Sequence, residues 1–117
     1  MIENQLKKLG KKSPVHDKRT LQLSNYMVSL PILPASVNWS SKQKKPWGMM
    51  KNDVAGDCTI AAAGHMILSW EADVNKVVQI NDADIIKSYV DVTTLEGAAY
   101  NPLTGDNDNG AVEIDVL

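Results

Sequence analysis

Residues 56–71 read Gly56-Asp57-Cys58-Thr59-Ile60-Ala61-Ala62-Ala63-Gly64-His65-Met66-Ile67-Leu68-Ser69-Trp70-Glu71. The Ala-rich run has high helix propensity, and Asp57 is a residue type that caps a helix by accepting a backbone N–H. Apolar side chains point in nearly every direction until Ser69. That pattern predicts a buried central helix starting at Cys58, not a surface helix with one apolar stripe. Gly64 inside a helix costs about 1 kcal/mol against Ala, so close approach of another backbone is its expected reason.

Working outward toward the C-terminus, Val77 to Ile80 is a short β-branched run. Asn81 or Asp82 then caps a second helix with Ile85, Ile86, Tyr89 and Val90 facing inward. Residues 93–110 read as a long loop rich in Gly, Asn and Asp, and loops of that length are often functional. Ala111 to Leu117 is a final apolar segment. Toward the N-terminus, Pro46 to Met50 reads as short and extended, Ser40 to Lys45 as a polar loop, and Pro31 and Pro34 impose an extended path. Leu21, Leu23, Tyr26, Met27 and Leu30 fit either a short helix or an extended packing segment. Residues 1–20 have no apolar period. The chain therefore divides into a basic N-terminal arm, 1–30, and a mainly α unit, 31–117, with long loops and at most short strands.

At 117 residues, 44% apolar and 22% charged, the composition is that of one globular domain. The single cysteine excludes an intramolecular disulfide and points to a reducing, cytoplasmic setting. Met1 to Lys12 lacks the apolar stretch of a secretory signal. The longest apolar run, Thr59 to Leu68, is too short to span a bilayer, so no membrane partner is expected. The net charge of −2 hides an asymmetry: residues 1–52 carry ten Lys/Arg and two acids, residues 53–117 two Lys and twelve acids. Such segregation can mark a nucleic-acid arm. The lysines are spread through Pro-containing loop sequence with no dense block and no interleaved aromatics, which favours a basic front folded against the acidic back and argues against nucleic acid.

The chemistry concentrates at Cys58. A thiol at a helix start is stabilised as thiolate by unpaired N–H groups and the helix dipole. Gly56 permits a tight turn just before it. Asn52, six residues upstream, carries an amide that can donate toward the thiol. A side-chain amide and the cysteine N–H together make an oxyanion hole for acyl transfer.

Leu33-Pro34-Ala35-Ser36-Val37-Asn38-Trp39, followed by Lys51-Asn52-Asp53-Val54-Ala55-Gly56-Asp57-Cys58-Thr59, resembles the opening of the papain-like cysteine peptidase family, in its bacterial and phage-type members. That family opens Leu-Pro-x-Ser-Val-Asp-Trp and runs Asn-Gln-Gly-x-Cys-Gly-Ser-Cys into its central helix. His16-Asp17-Lys18-Arg19 is partly similar to an upstream Asp-x-Arg-Asp segment, and Asn107-Asp108-Asn109-Gly110-Ala111 to the family's Asn-Gly-Gly turn. The joint spacing of Trp39, Asn52, Gly56 and Cys58 carries most of the resemblance, which spans roughly residues 15–117. It implies the N-terminal helical lobe of a two-lobed α+β fold, with Cys58 as nucleophile and Asn52 at the oxyanion-hole position. Trp39, Gly56 and Asp57 would be structural support.

The chain departs from the family's pattern at four points. Asn52 is one methylene shorter than the family's Gln. Asp57 replaces Ser and sets a carboxyl beside the thiol, which opposes thiolate formation. Ala55 stands where the family has a disulfide cysteine. The catalytic histidine lies about 130–150 residues beyond the nucleophile in papain-like enzymes, whereas 59 residues follow Cys58 here. His65 is seven residues along the same helix, roughly 10 Å away, too far to serve as base and better read as a buried or interface histidine. His16, in the arm, reaches Cys58 only if the arm folds back.

Other residues read as ordinary structure. A cation loop at Asp106 to Gly110 fails the EF-hand frame in either register. Asp82, Asp84 and Glu71 read as helix-end and surface carboxylates, and Trp47, Met49 and Met50 as core. No zinc spacing, phosphate loop or cofactor motif occurs, so no metal and no cofactor is expected. The expected function is a peptidase or amidase half-domain that is truncated and inactive alone, in effect a pseudoenzyme, needing a partner or a further segment for its base. The alternative is a non-catalytic binding or inhibitory module, of phage origin, that reuses the lobe for protein–protein contacts or self-association as an oligomer.

Overall fold

The computed structural model describes residues 12–116. Its elements are a 3₁₀ turn at Leu23–Asn25 and three helices: α1 at Cys58–Asp73, α2 at Asp82–Leu95 and α3 at Glu113–Val116. No β-strand forms among the described residues, and the fold is mainly helical. Helix α1 packs against both α2 and α3.

The core is one cluster: Ile60, Ala61 and Leu68 from α1, Ile85, Tyr89 and Val92 from α2, and Met50, Ala55, Tyr100 and Ala111 from the connecting segments. In α2 the pattern works as expected. Ile85 and Tyr89 are buried, and Ile86 and Val90 pack at the edge of the cluster. Asn81 occupies the cap position, with its amide 3.4 Å from the Asp84 carboxyl. Asp82 and Asp84 fall in the first turn, where negative charge is favoured by the dipole.

Helix α1 departs from its expected burial. It buries Thr59, Ile60, Ala61, Gly64, Leu68 and Ala72, but leaves Met66, Ile67 and Trp70 exposed, Trp70 by 60%. Its apolar circumference is wider than the neighbours that cover it. Gly64 also differs from expectation. A Cβ there would sit 2.7 Å from Met50 Sδ and 3.1 Å from Ile85 Cδ1, so side chains and not a backbone require the glycine.

The segment before the core lies on the surface. Nine large apolar residues between Leu21 and Trp39 are exposed, with Val28 and Ile32 fully so. Residues 12–20 do fold back. Pro14, Val15 and Thr20 line a cleft of about 450 Å³ with Ala62, Ala63 and Met66 of α1 and with Val112, Ile114 and Val116. Ion pairs tie this stretch to the acidic half at Lys12–Glu96 and at Arg19–Asp115, the latter 3.4 Å. Lys42–Asp73 and Lys51–Asp82 cross between the halves as well. Among the described residues the basic front therefore pairs with the acidic back.

Candidate functional site

The site is built from the turn that delivers the chain into α1. Asn52 N–H donates to Met49 O at 3.0 Å, and Val54 and Ala55 N–H both donate to Lys51 O at 2.9 Å. Met50 and Lys51 adopt φ of 52° and 66°, the left-handed region that costs a residue with a Cβ about 1 kcal/mol or more. Burial of Met50 against Gly64 holds this strained turn in place. The chain then runs through buried Ala55, Gly56 and Asp57 into Cys58, the first residue of α1, whose side chain is half-buried. The thiol thus stands at a helix start, where the N–H groups of the first turn lack intrahelical partners.

Gly56 is held from a distance. Its N–H donates to Asp108 Oδ1 at 2.8 Å, across fifty-two positions of sequence. The same oxygen accepts the Tyr89 hydroxyl at 2.9 Å. Tyr89 Oη accepts the Gly110 N–H at 2.9 Å. Tyr89 is fully buried, its ring tilted at 40° against Tyr100 with centroids 4.9 Å apart, and its hydroxyl is driven well above its ordinary pKa by burial and then by the bond to Asp108. Tyr100 is shifted the same way by burial. Thr93 Oγ1 donates to Tyr89 O at 2.8 Å and accepts the Tyr100 N–H at 2.8 Å, which anchors the far side of the loop to α2.

Asp57 is the anomaly of the site. It occupies the cap position of α1 but makes no side-chain capping bond. Its backbone carbonyl accepts the Ala61 N–H at 2.9 Å, while both carboxyl oxygens are buried without a hydrogen-bond partner. Burial pushes its pKa up to about 7, with the charges of Asp108, Asp53 and Asp82 adding in the same direction. Below neutral pH the group beside Cys58 is therefore mostly the uncharged acid, which weakens the repulsion expected of a carboxylate there.

The structure brings Gly56, Asp57 and Cys58 together. It places Asn52 exposed on the outside of the turn, and no hydrogen bond among the described residues joins its amide to Cys58. Trp39 is 69% exposed, on the surface ribbon rather than beneath the thiol. His65 is turned to another task. Its Nε2–H donates to Trp47 O at 3.3 Å and Gly48 O at 3.2 Å, tautomer assigned from these two acceptors, and its ring meets Trp47 edge-on at 5.7 Å. His16 lies exposed on the stretch that folds against α1. In the adjoining segment Arg19 grips Asp17 through Nε and Nη2 at 3.0 and 2.7 Å, holding the Asp17 carboxyl down at about 2.

Nothing in the residue types marks the strained turn, since neither Met50 nor Lys51 is a glycine or asparagine. The Asp108–Tyr89 contact has partial signals in the sequence: the helical spacing puts Tyr89 on the inward face, and the 93–110 loop is rich in Asp and Asn. Their pairing is a tertiary event. No group of three or more His, Cys, Asp or Glu able to hold a metal occurs among the described residues, and no helix there is long and apolar enough to cross a membrane. Compared with models of protein families, with curated proteins and with solved structures, this chain finds no match.

Proposed function

We propose that this chain is the nucleophile-bearing helical lobe of a papain-like cysteine peptidase or amidase, with Cys58 as the attacking thiol. The supporting observation is that α1 begins at Cys58, out of a turn held at Gly56, so the thiol belongs to the first turn of a helix, where the N–H groups lack intrahelical partners. Asn52 lies on the same turn, where a change of side-chain rotamer is the route to an oxyanion donor. The base comes from a partner or a further segment, because His65 is committed to Trp47 and Gly48. The apolar ribbon at 21–39 and the outer face of α1 are the surfaces such a segment would cover. The test is the rate of Cys58 alkylation against pH, read by intact mass. A midpoint well below about 8.5, the free-thiol value, supports an activated thiol, and a midpoint at or above it removes the peptidase reading.

The second reading is a binding or inhibitory module acting through protein contacts. The nine exposed apolar residues between Leu21 and Trp39 favour it, since faces of this kind are normally covered by self-association or a partner. Sedimentation across a concentration series checks it: self-association supports this reading, and a monomer at every concentration counts against it. Binding also survives Cys58→Ala under this reading, whereas peptidase action does not.

A further inference from the structure

The group that accepts the Gly56 N–H, two residues before Cys58, comes from the loop that follows α2. We propose that Asp108 is a positioning residue for the Cys58 thiol, acting through the Gly56 N–H and held in register by the Tyr89 hydroxyl. The inference rests on the reading of Cys58 as a nucleophile.

The loop after α2 is pinned at both ends. At its start, Ala98 N–H donates to Thr93 O at 3.0 Å and Tyr100 N–H to Thr93 Oγ1. At its end, Val112 N–H donates to Glu96 Oε1 at 2.7 Å, and Gly110 N–H donates to Tyr89 Oη. With its ends fixed to α2, the loop presents the Asp108 carboxyl at a defined point, and Tyr89 Oη joins it to the same helix. One oxygen then receives both Tyr89 O–H and Gly56 N–H. The orientation of the Gly56–Cys58 backbone is thereby referred to α2, an element that does not contain the thiol. A hydrogen bond to a carboxylate is stronger than one between neutral groups. Small displacements of a reacting group have large rate effects.

The body of α1 does not depend on this bond. Ile60, Ala61 and Leu68 carry the helix into the core, and Gly56 lies outside it. Loss of the Asp108 acceptor therefore loosens the turn at the thiol while the helix stays folded.

The experiment compares Asp108→Asn with Asp108→Ala. Both remove the charge; only Asn keeps an oxygen for Gly56 N–H. Tyr89→Phe serves as a third variant that keeps the charge and removes one donor, the Tyr89 hydroxyl, from the carboxyl. For each, Cys58 alkylation by iodoacetamide is measured from pH 5 to 10, together with amide exchange at Gly56 and near-ultraviolet circular dichroism. The expected result is Gly56 exchange accelerated in Asp108→Ala but not in Asp108→Asn. In Asp108→Ala the alkylation midpoint is also higher, and the rate at pH 7.5 is lower by about three-fold or more. Tyr89→Phe shifts the same way by less, and its result stands if Asp108→Ala fails to fold. Coincident alkylation profiles in folded variants, with Gly56 exchange raised, overturn the proposal and leave a structural staple. A wild-type midpoint at the free-thiol value removes the nucleophile reading by a separate measurement, and the difference between Asn and Ala in Gly56 exchange is unaffected by it.

Discussion

The Asp57 carboxyl is fully buried with both oxygens unpartnered, and the charge of Asp108, which accepts the adjoining Gly56 N–H, opposes its ionisation. The two carboxyl groups flank one peptide segment but meet different surroundings. Asp108 receives two donors, and Asp57 receives none.

Stability should therefore fall with rising pH. Asp57 has a folded-state pKa of about 7 against 3.8 for the ordinary carboxyl. A group whose pKa is raised on folding binds its proton more tightly in the native state, so stability is full below the unfolded value and is lost as pH climbs from about 4 through 7. The loss is on the order of a few kcal/mol. Thermal melts at pH 5, 6, 7 and 8 should show the decline in the wild type and a flatter profile in Asp57→Asn, with the variant the more stable at pH 8. Parallel profiles would show that Asp57 finds a donor or water on ionising.

Gly64→Ala gains about 1 kcal/mol of helix propensity but places a methyl 2.7 Å from Met50 Sδ, on a side chain confined to a strained turn. The net expectation is a destabilisation of about 1–2 kcal/mol. Met50→Ala in the same chain should remove most of the clash, giving a coupling near 1 kcal/mol in a double-mutant cycle by urea denaturation. Additive effects would place the reason for Gly64 elsewhere.

Thr93 and Thr94 are adjacent on α2 and should respond differently. Thr93→Val strands the buried Tyr100 N–H, at a cost of about 1–3 kcal/mol. Thr94 Oγ1 bonds only the Val90 carbonyl at an exposed site, so Thr94→Val should stay within about 0.5 kcal/mol. Equal losses in chemical denaturation would contradict the role given to the Thr93–Tyr100 bond.

His65 fixes the 47–48 backbone to α1. His65→Ala should lower the melting temperature while leaving the midpoint of Cys58 alkylation in place, and the same midpoint should be unmoved in His16→Ala. A midpoint shift in either variant would assign that histidine to the thiol.

The sequence alone settled the two long helices, α1 and α2. The Ala-rich run and the Ile85/Tyr89 spacing are local signals, and a helix closes its hydrogen bonds within a few residues, so α1 and α2 were legible together with Cys58 at a helix start. The opposite signs of the two halves were also legible, and the folded chain pairs them. Composition could not say which side of an all-round apolar helix would find a neighbour, so the exposure of Met66, Ile67 and Trp70 emerged only on folding. The same holds for the partners of Gly64 and for the left-handed turn at Met50 and Lys51, which packing and not residue type imposes. Asp57 looked like a cap from its residue type and place. Whether a carboxyl caps, pairs or stays unpartnered depends on groups from distant parts of the chain. The bond from Asp108 to Gly56 is of that kind: each residue is ordinary in the sequence, and only the packing of the late loop on α2 brings the two within 2.8 Å.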